Sequence, residues 1–265
     1  MDLKNFFEQE GYVIVPNVVA KETIERMRND HTELLQHSNL KTLPQHIFFK
    51  KPLFTETILN QALDEVKAIL GEEKVTLYPN MTVRESIYLS FHNDSYFMKE
   101  EDEKGLVTPE FVQCSLYFQD NDEENGGGVT LIPKSHLLNR VERAELTKRV
   151  NQGEMAGKCI KTNIGDLVIW DARIVHSSTK PVVPPKEKKL ALQWTVSRTE
   201  LFAKDFIAYL QRRANEMLHV SDYEAERPLD YFADMPNVTL NSFNLKQRDA
   251  LASGNINFVE IHDGV

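Results

Sequence analysis

Ser90-Phe91-His92-Asn93-Asp94-Ser95-Tyr96 places an imidazole and a carboxylate two positions apart within an apolar, strand-like run. On a β-strand successive side chains alternate faces, so positions i and i+2 project together and both groups can close on one ion. A third ligand has to come from a distant part of the chain. The pattern favours His176, in the run Ile169-Trp170-Asp171-Ala172-Arg173-Ile174-Val175-His176-Ser177-Ser178. Two imidazoles and one carboxylate on one face of an octahedral ion leave three positions open, which is the facial triad of non-haem Fe(II) oxygenases. A His-x-Asp tripeptide alone is common, and a strand histidine more often serves in a core or on a surface. The rest of the chain has to decide.

The bulk properties set the frame. The chain has 265 residues, 41% of them hydrophobic, enough for one large domain with a real core. Its 40 acidic against 31 basic residues give a formal net charge of -9. That argues against nucleic acid, whose phosphates need a concentrated basic face, and in favour of a small-molecule substrate. Two cysteines, Cys114 and Cys159, are too few for a disulfide framework or a cysteine-rich zinc site. The first residues carry no apolar signal-peptide core and no window has the length of a membrane span, so the sequence predicts a cytoplasmic protein with no membrane partner, a monomer or homodimer.

Outward from the opening stretch, the period of the apolar residues changes from helical to strand-like. Residues 1–72 predict buttressing helices and a first strand: Tyr12-Val13-Ile14-Val15 between Gly11 and Pro16, then amphipathic helices from Lys21 to about His37 and from Thr55 to Leu70, with Gly71 as the stop. Residues 74–198 predict the core, with strands at Lys74–Tyr78, Ser86–His92, Phe111–Gln119, Lys158–Thr162, Leu167–His176 and Lys188–Val196, and a turn-rich insert leading into the run Val129–His136. Asn125-Gly126-Gly127-Gly128 signals a hairpin before Val129. Residues 199–265 predict a helix from Glu200 to about Leu218, followed by a lid or oligomerisation tail. Many modest strands, helices outside them and no βαβ alternation predict a mainly β fold with flanking α-helices, a double-sheet jelly roll.

Taken in order, His92-Asn93-Asp94, Gln119-Asp120 to Gly127, Ile132-Pro133-Lys134-Ser135-His136, Gly165-Asp166 and His176-Ser177-Ser178, preceded by Phe6-Phe7-Glu8-Gln9-Glu10-Gly11-Tyr12-Val13, resemble the phytanoyl-CoA dioxygenase family of Fe(II)/2-oxoglutarate oxygenases. The resemblance runs from about Phe6 to about Val196. It implies a cupin-like double-stranded β-helix, with His92, Asp94 and His176 as iron ligands, and 2-oxoglutarate and O2 as cosubstrates. It also implies a hydroxyl and a basic residue for the distal carboxylate of 2-oxoglutarate. Ser178 matches the hydroxyl. The basic residue is usually an arginine opening the last strand, and here Pro185-Lys186-Glu187-Lys188-Lys189-Leu190 offers only lysines. Lys188 is the first choice and Lys189 the next register, since adjacent strand residues face opposite ways and only one can serve. A lysine supplies a point charge without the two-pronged geometry of arginine.

Around these residues, Gln113, Tyr88 and Tyr117 sit on strands expected to line the barrel mouth, with Gln113 placed against the cosubstrate. His136 is read as structural, Arg173 as solvated, Asp166 as a hairpin residue, and Trp170 and Trp194 as core anchors. By the resemblance the expected activity is hydroxylation of a C–H bond of a small polar metabolite or natural-product intermediate, coupled to conversion of 2-oxoglutarate to succinate and CO2. Related halogenases carry a small residue where the carboxylate stands, so Asp94 points to hydroxylation or a related oxidation; desaturation, epoxidation and cyclisation use the same iron. The acidic surface disfavours a CoA thioester. The rival reading is a jelly-roll protein that binds a metal or ligand without turnover, and the missing arginine is the feature that favours it.

Overall fold

The computed structural model describes residues 2–36, 42–86, 88–106, 108–214, 218–219, 228–229 and 237–261. Helix α1 (Leu3–Glu10) leads into β1 (Tyr12–Val15), α2 (Lys21–Leu34), the short α3 (Gln45–Phe48) and a continuous helical segment of α4 (Pro52–Thr57), a π-turn at Ile58–Ala62 and α5 (Leu63–Leu70). The core follows as β2 (Val75–Leu77), β3 (Thr82–Glu85), α6 (Glu100–Lys104), β4 (Phe111–Tyr117), β5 (Val129–Leu131), α7 (Arg140–Asn151), β6 (Lys158–Cys159), β7 (Leu167–Asp171), β8 (His176–Ser178) and β9 (Leu190–Ser197). The C-terminal part contains α8 (Ala203–Ala214), a two-strand pair of β10 (Leu218–His219) and β11 (Pro228–Leu229), then α9 (Leu245–Ser253) and β12 (Ile256–Phe258).

Two sheets face each other as a double-stranded β-helix. A seven-stranded sheet runs β1-β7-β4-β9-β2-β12, with β3 also paired to β9, and a three-stranded sheet runs β6-β5-β8. The large sheet shows why its sequence alternates. Cys114 and Leu116 on β4, Leu167 and Ile169 on β7, and Leu192, Trp194 and Val196 on β9 pack with Phe7, Ile24, Met27, Leu63 and Val66 of the helices. Tyr117, Val168, Trp170 and Ala191, of opposite parity, pack on the inner side with Val129, Leu131 and Ile160 around the small sheet. Each fully buried aliphatic side chain of this layer contributes roughly 1.5–3 kcal/mol, so the helix-covered face holds the sheet rigid while the inner face stays free for chemistry.

The structure departs from the sequence expectations at three places that matter. The run Leu167–His176 is two strands in different sheets. It breaks at Asp171, whose Oδ1 accepts from the backbone N–H and Nε of Arg173 at 2.7 and 3.0 Å while Oδ2 accepts from Nη2 at 2.7 Å. Arg173 is therefore a buried ion-pair partner, 4% exposed, that shapes the corner, and not a solvated residue. The expected strand Ser86–His92 is shifted: regular pairing ends at Glu85, and His92 makes a single antiparallel bridge to His176. In the tail, β12 pairs in parallel with β2 and so extends the large sheet. The expected continuation of α8 through 215–217 lies outside the described residues, as does Ile87 of the expected strand, and Leu218, expected as the helix end, belongs to β10.

The glycine run before β5 has a packing cause. Gly127 has φ +85°, and a Cβ there would lie 2.7 Å from Cδ of Lys189; Gly126, also at positive φ, sits against the backbone of Pro181. The hairpin thus closes onto the segment that opens β9, which only glycine allows.

Candidate metal and cosubstrate site

His92 and His176 reach the site by backbone pairing. Each donates its N–H to the other's carbonyl at 2.8 Å, so a two-residue ladder places the imidazoles side by side with ring centroids 4.3 Å apart. Nδ1 of His92 lies 2.7 Å from the carbonyl of Ser90, and Nδ1 of His176 lies 3.0 Å from that of Ile174. A carbonyl only accepts, so Nδ1 carries the proton in both rings and each Nε2 presents its lone pair outward, the tautomer that metal-binding histidines adopt.

Asp94 completes the cluster. Its Oδ1 lies 3.7 Å from Nε2 of His92 and its Oδ2 lies 3.5 Å from Nε2 of His176. One ligand atom from each of the three side chains falls within 4.8 Å of the others, and among the described residues this is the group of histidine and acidic side chains placed to hold an ion. Ligands about 2.1 Å from one cation lie at most about 4.2 Å apart, so these two separations fit a shared ion. Burial, with the adjacent His92 adding to it, pushes the pKa of His176 down to about 4, which keeps the ring neutral and able to ligate at neutral pH. The donor set of two nitrogens and one oxygen suits a divalent first-row metal such as Fe(II).

The loop between the ligands is gripped from outside by α7. Asn151, its last residue, bonds both backbone groups of Phe91: Oδ1 accepts from the N–H and Nδ2 donates to the carbonyl, each at 2.9 Å. Near the other end of the helix, Arg143 donates to Ser95 Oγ at 3.4 Å and pairs with the buried Glu103 of α6. Ser95 in turn donates its N–H and hydroxyl to Asn93 Oδ1 at 3.2 and 2.8 Å. The Asp94 N–H donates to the carbonyl of Ala172, which ties the loop to the β7–β8 corner. Helix α7 therefore braces His92 and Asp94 on both sides. Its buried Arg143, 1% exposed, shares the inward face of the helix with Leu146 and Val150, which pack on Phe91, Ile132 and Val175.

A cavity of about 580 Å3 opens between the two sheets in front of these ligands. Ser178 lines it two residues beyond His176 along β8, about 7 Å away by strand rise. Its Oγ accepts from the N–H of Leu89 at 3.0 Å, so its own proton is available to donate. Gln113 and Tyr117 line the cavity from β4, and Gln113 Oε1 accepts from Thr195 Oγ1 at 2.9 Å. Trp170 also lines it, with its ring centroid 5.4 Å from that of His176. His136 is buried at Gly11 and Glu8, away from the cluster.

Neither lysine is brought to the cavity. Lys188 shares parity with Leu190 and Leu192, which face the helices, and its Nζ pairs with Glu85 at 2.9 Å on that outer side with the side chain 63% exposed. Lys189 has the inner parity but stops short: its stem packs on Gly127 and its Nζ donates to the carbonyl of Asp120 at 3.3 Å. The guanidinium lining the cavity beside the sheet is Arg84 of β3. Arg84 lies across from Ala191 of β9, one strand over from where the arginine was expected. Its positive charge is felt at both His176 and Tyr117. The signal was present in the sequence: Thr82 and Arg84 alternate with Val83, a helix-facing core residue, so a strand started at Thr82 instead of Ser86 turns Arg84 inward.

A family model for phytanoyl-CoA dioxygenase matches residues 7–181. The chain belongs to this family. Family membership agrees with the Fe(II) and 2-oxoglutarate dependence that the resemblance implied. No curated protein matches the sequence. Solved structures share the fold at low identity. The 2-oxoglutarate-dependent epimerase SnoN from nogalamycin biosynthesis is 17% identical with a TM-score of 0.58, the match covering 74% of this chain and 79% of that one. HygX from Streptomyces hygroscopicus, solved with nickel and 2-oxoglutarate, has the same identity and TM-score, covering 74% and 86%. The carbocyclase SnoK from nogalamycin biosynthesis is 17% identical with a TM-score of 0.56, covering 74% and 82%. No helix among the described residues is long and apolar enough to cross a membrane.

Proposed function

We propose that the protein is an Fe(II)/2-oxoglutarate-dependent oxygenase that hydroxylates a C–H bond of a small molecule. The convergence of the His92 and His176 Nε2 atoms on the Asp94 carboxylate, at the wall of a cavity that also presents Arg84 and Ser178, is the observation that carries this reading. Held there with 2-oxoglutarate, iron supplies the coupled oxidation in which O2 gives one oxygen atom to succinate, with release of CO2, and the other to the substrate.

The chain's own residues do the positioning. His92, Asp94 and His176 hold the metal, and the Nδ1–carbonyl contacts of both imidazoles leave each Nε2 to face it. Arg84 takes the distal carboxylate of the cosubstrate through a charge-assisted pair, and Ser178 donates a hydroxyl bond to the same group. Two-pronged recognition by Arg84 restores from β3 what the lysines cannot supply. Trp170, packed against His176, and Tyr117 keep bulk water from the inner end of the cavity.

Succinate release from 2-oxoglutarate in air, screened across small molecules with mass analysis of products, tests the proposal. Stimulated succinate with a product gaining one oxygen atom is expected. A product with unchanged mass, as an epimerase such as SnoN would give, or one lacking two hydrogens would place the same iron site in a different outcome. No succinate under any condition would leave a binding protein.

A further inference from the structure

Helix α7 holds the metal loop through polar bonds, but the turn that follows Asp94 is held by a different device. The N–H of Met98 donates to the carbonyl of Ser95 at 3.0 Å, so the chain turns back immediately after Asp94. Tyr96 stays exposed at that turn, whereas Phe97 and Met98 are buried. Phe97 enters an aromatic cluster separate from the helix-covered core. Its ring centroid is 4.6 Å from that of Phe111, at the start of β4, and 4.8 Å from that of Phe206 on α8, with Phe202 and Tyr209 both at 6.2 Å. Phe206 is itself fixed, 4.7 Å from Phe111 and 5.0 Å from Tyr78, both in the edge-on arrangement that aromatic pairs favour.

The cluster reaches Asp94 from two directions. Ala172, whose carbonyl accepts the Asp94 N–H at 2.8 Å, belongs to it, and Phe97 enters it three residues further along the chain. One apolar body thus fixes both ends of the segment that carries the carboxylate. Its outer wall comes from α8, which lies beyond the residues 7–181 that the family model matches. Phe206 also lines the cavity, so a single ring is shared by the cavity wall and the grip on the metal loop. From this we infer that Phe97 and Phe206 are positioning residues of the metal centre: Phe206 holds Phe97, and Phe97 holds Asp94 where it ligates. The inference rests on the metal reading of His92, Asp94 and His176. Neither ring is a ligand. Arg143 and Asn151 fix polar groups through directional bonds, whereas the cluster fixes the turn by close packing, and a smaller side chain leaves space into which the turn relaxes.

Anaerobic Fe(II) titration of Phe97→Leu, Phe206→Leu, the double variant and Phe243→Leu tests this, together with the thermal midpoint of each metal-free protein. Phe243 is the control: it is as deeply buried, and its ring packs on Phe49 and Phe258 at 5.1 and 4.8 Å in the helix-covered core. Leucine keeps each site apolar and the chain folded. All three single variants should lower the midpoint by a few degrees through lost packing. Only Phe97→Leu and Phe206→Leu should weaken iron binding, each by about tenfold, the lower end of what loss of a residue supporting a metal ligand costs. The double variant should bind iron about as Phe97→Leu does, since Phe206 acts through Phe97. Unchanged iron affinity in either of these single variants, an equal loss in Phe243→Leu, or losses that multiply to about 100-fold in the double variant would each overturn the inference. No Fe(II) binding by the unaltered protein would defeat the metal reading and the inference with it, whereas Fe(II) binding that all four variants retain undiminished defeats the positioning role alone.

Discussion

The proposed metal end and the proposed cosubstrate end of the cavity are coded in different ways. His92 and Asp94 are two residues apart and are tied to His176 by a backbone bridge, so local spacing plus one distant histidine points to the site. Arg84 and Ser178 lie on strands in opposite sheets, and Arg84 declares itself only through its alternation with Val83 on β3. A ligand pair made by local geometry can be read from spacing, whereas a pair made by two sheets closing has to be read from strand parity. For the lysines parity separated Lys188 from Lys189 without showing that Lys188 faces the helices and that Lys189 ends at the carbonyl of Asp120.

Four substitutions probe that contrast, beginning with the largest effect. Asp94→Ala removes a metal ligand, and its iron affinity should fall by more than the roughly 10–100-fold that loss of a supporting hydrogen bond costs, with hydroxylation undetectable. Retained hydroxylation would break the metal end of the account. Arg84→Gln should weaken 2-oxoglutarate binding about 10–100-fold at unchanged iron affinity, since charge-assisted bonds contribute about 1.5–3 kcal/mol. Equal loss of iron and cosubstrate affinity would erase the division between the two ends. Asn151→Ala leaves both backbone groups of Phe91 without their partner. It should lower iron affinity about tenfold, with 2-oxoglutarate affinity following only through the metal; titration of Fe(II) against each variant measures this. Lys188→Ala breaks an exposed pair with Glu85 and should change 2-oxoglutarate affinity by less than about twofold, because such pairs contribute about 0–1 kcal/mol and this one faces away from the cavity. A large loss there would return the carboxylate to the lysine and remove it from Arg84.

The fold was legible where one physical rule acted alone. Alternation across Phe111–Tyr117 reflects a strand with helices on one side and a cavity on the other, and the apolar stripes of α2 and α5 mark what covers it. Legibility failed where local polar chemistry overrode the period. The run from Leu167 to His176 reads as one strand because Ala172, Ile174 and Val175 are all buried, yet the Asp171–Arg173 ion pair turns the chain into the other sheet. The strand geometry that pairs the proposed ligands His92 and Asp94 holds only in part: His92 is held by a single bridge, and the Asx-type bonds of Asn93 to Ser95 aim Asp94. The supports on α7 were invisible because Asn151 and Arg143 look like ordinary polar positions of a surface helix until the metal loop is laid against them.

The central claim is that one cavity binds iron through His92, Asp94 and His176 and binds 2-oxoglutarate through Arg84. Anaerobic addition of Fe(II) and then 2-oxoglutarate, followed by visible absorption, tests it directly in the unaltered protein, Arg84→Gln and Asp94→Ala. The account predicts a charge-transfer band in the unaltered protein, the same band at about 10–100-fold higher 2-oxoglutarate in Arg84→Gln, and no band in Asp94→Ala. No band in the unaltered protein, or a band in Arg84→Gln at unshifted 2-oxoglutarate, would contradict it.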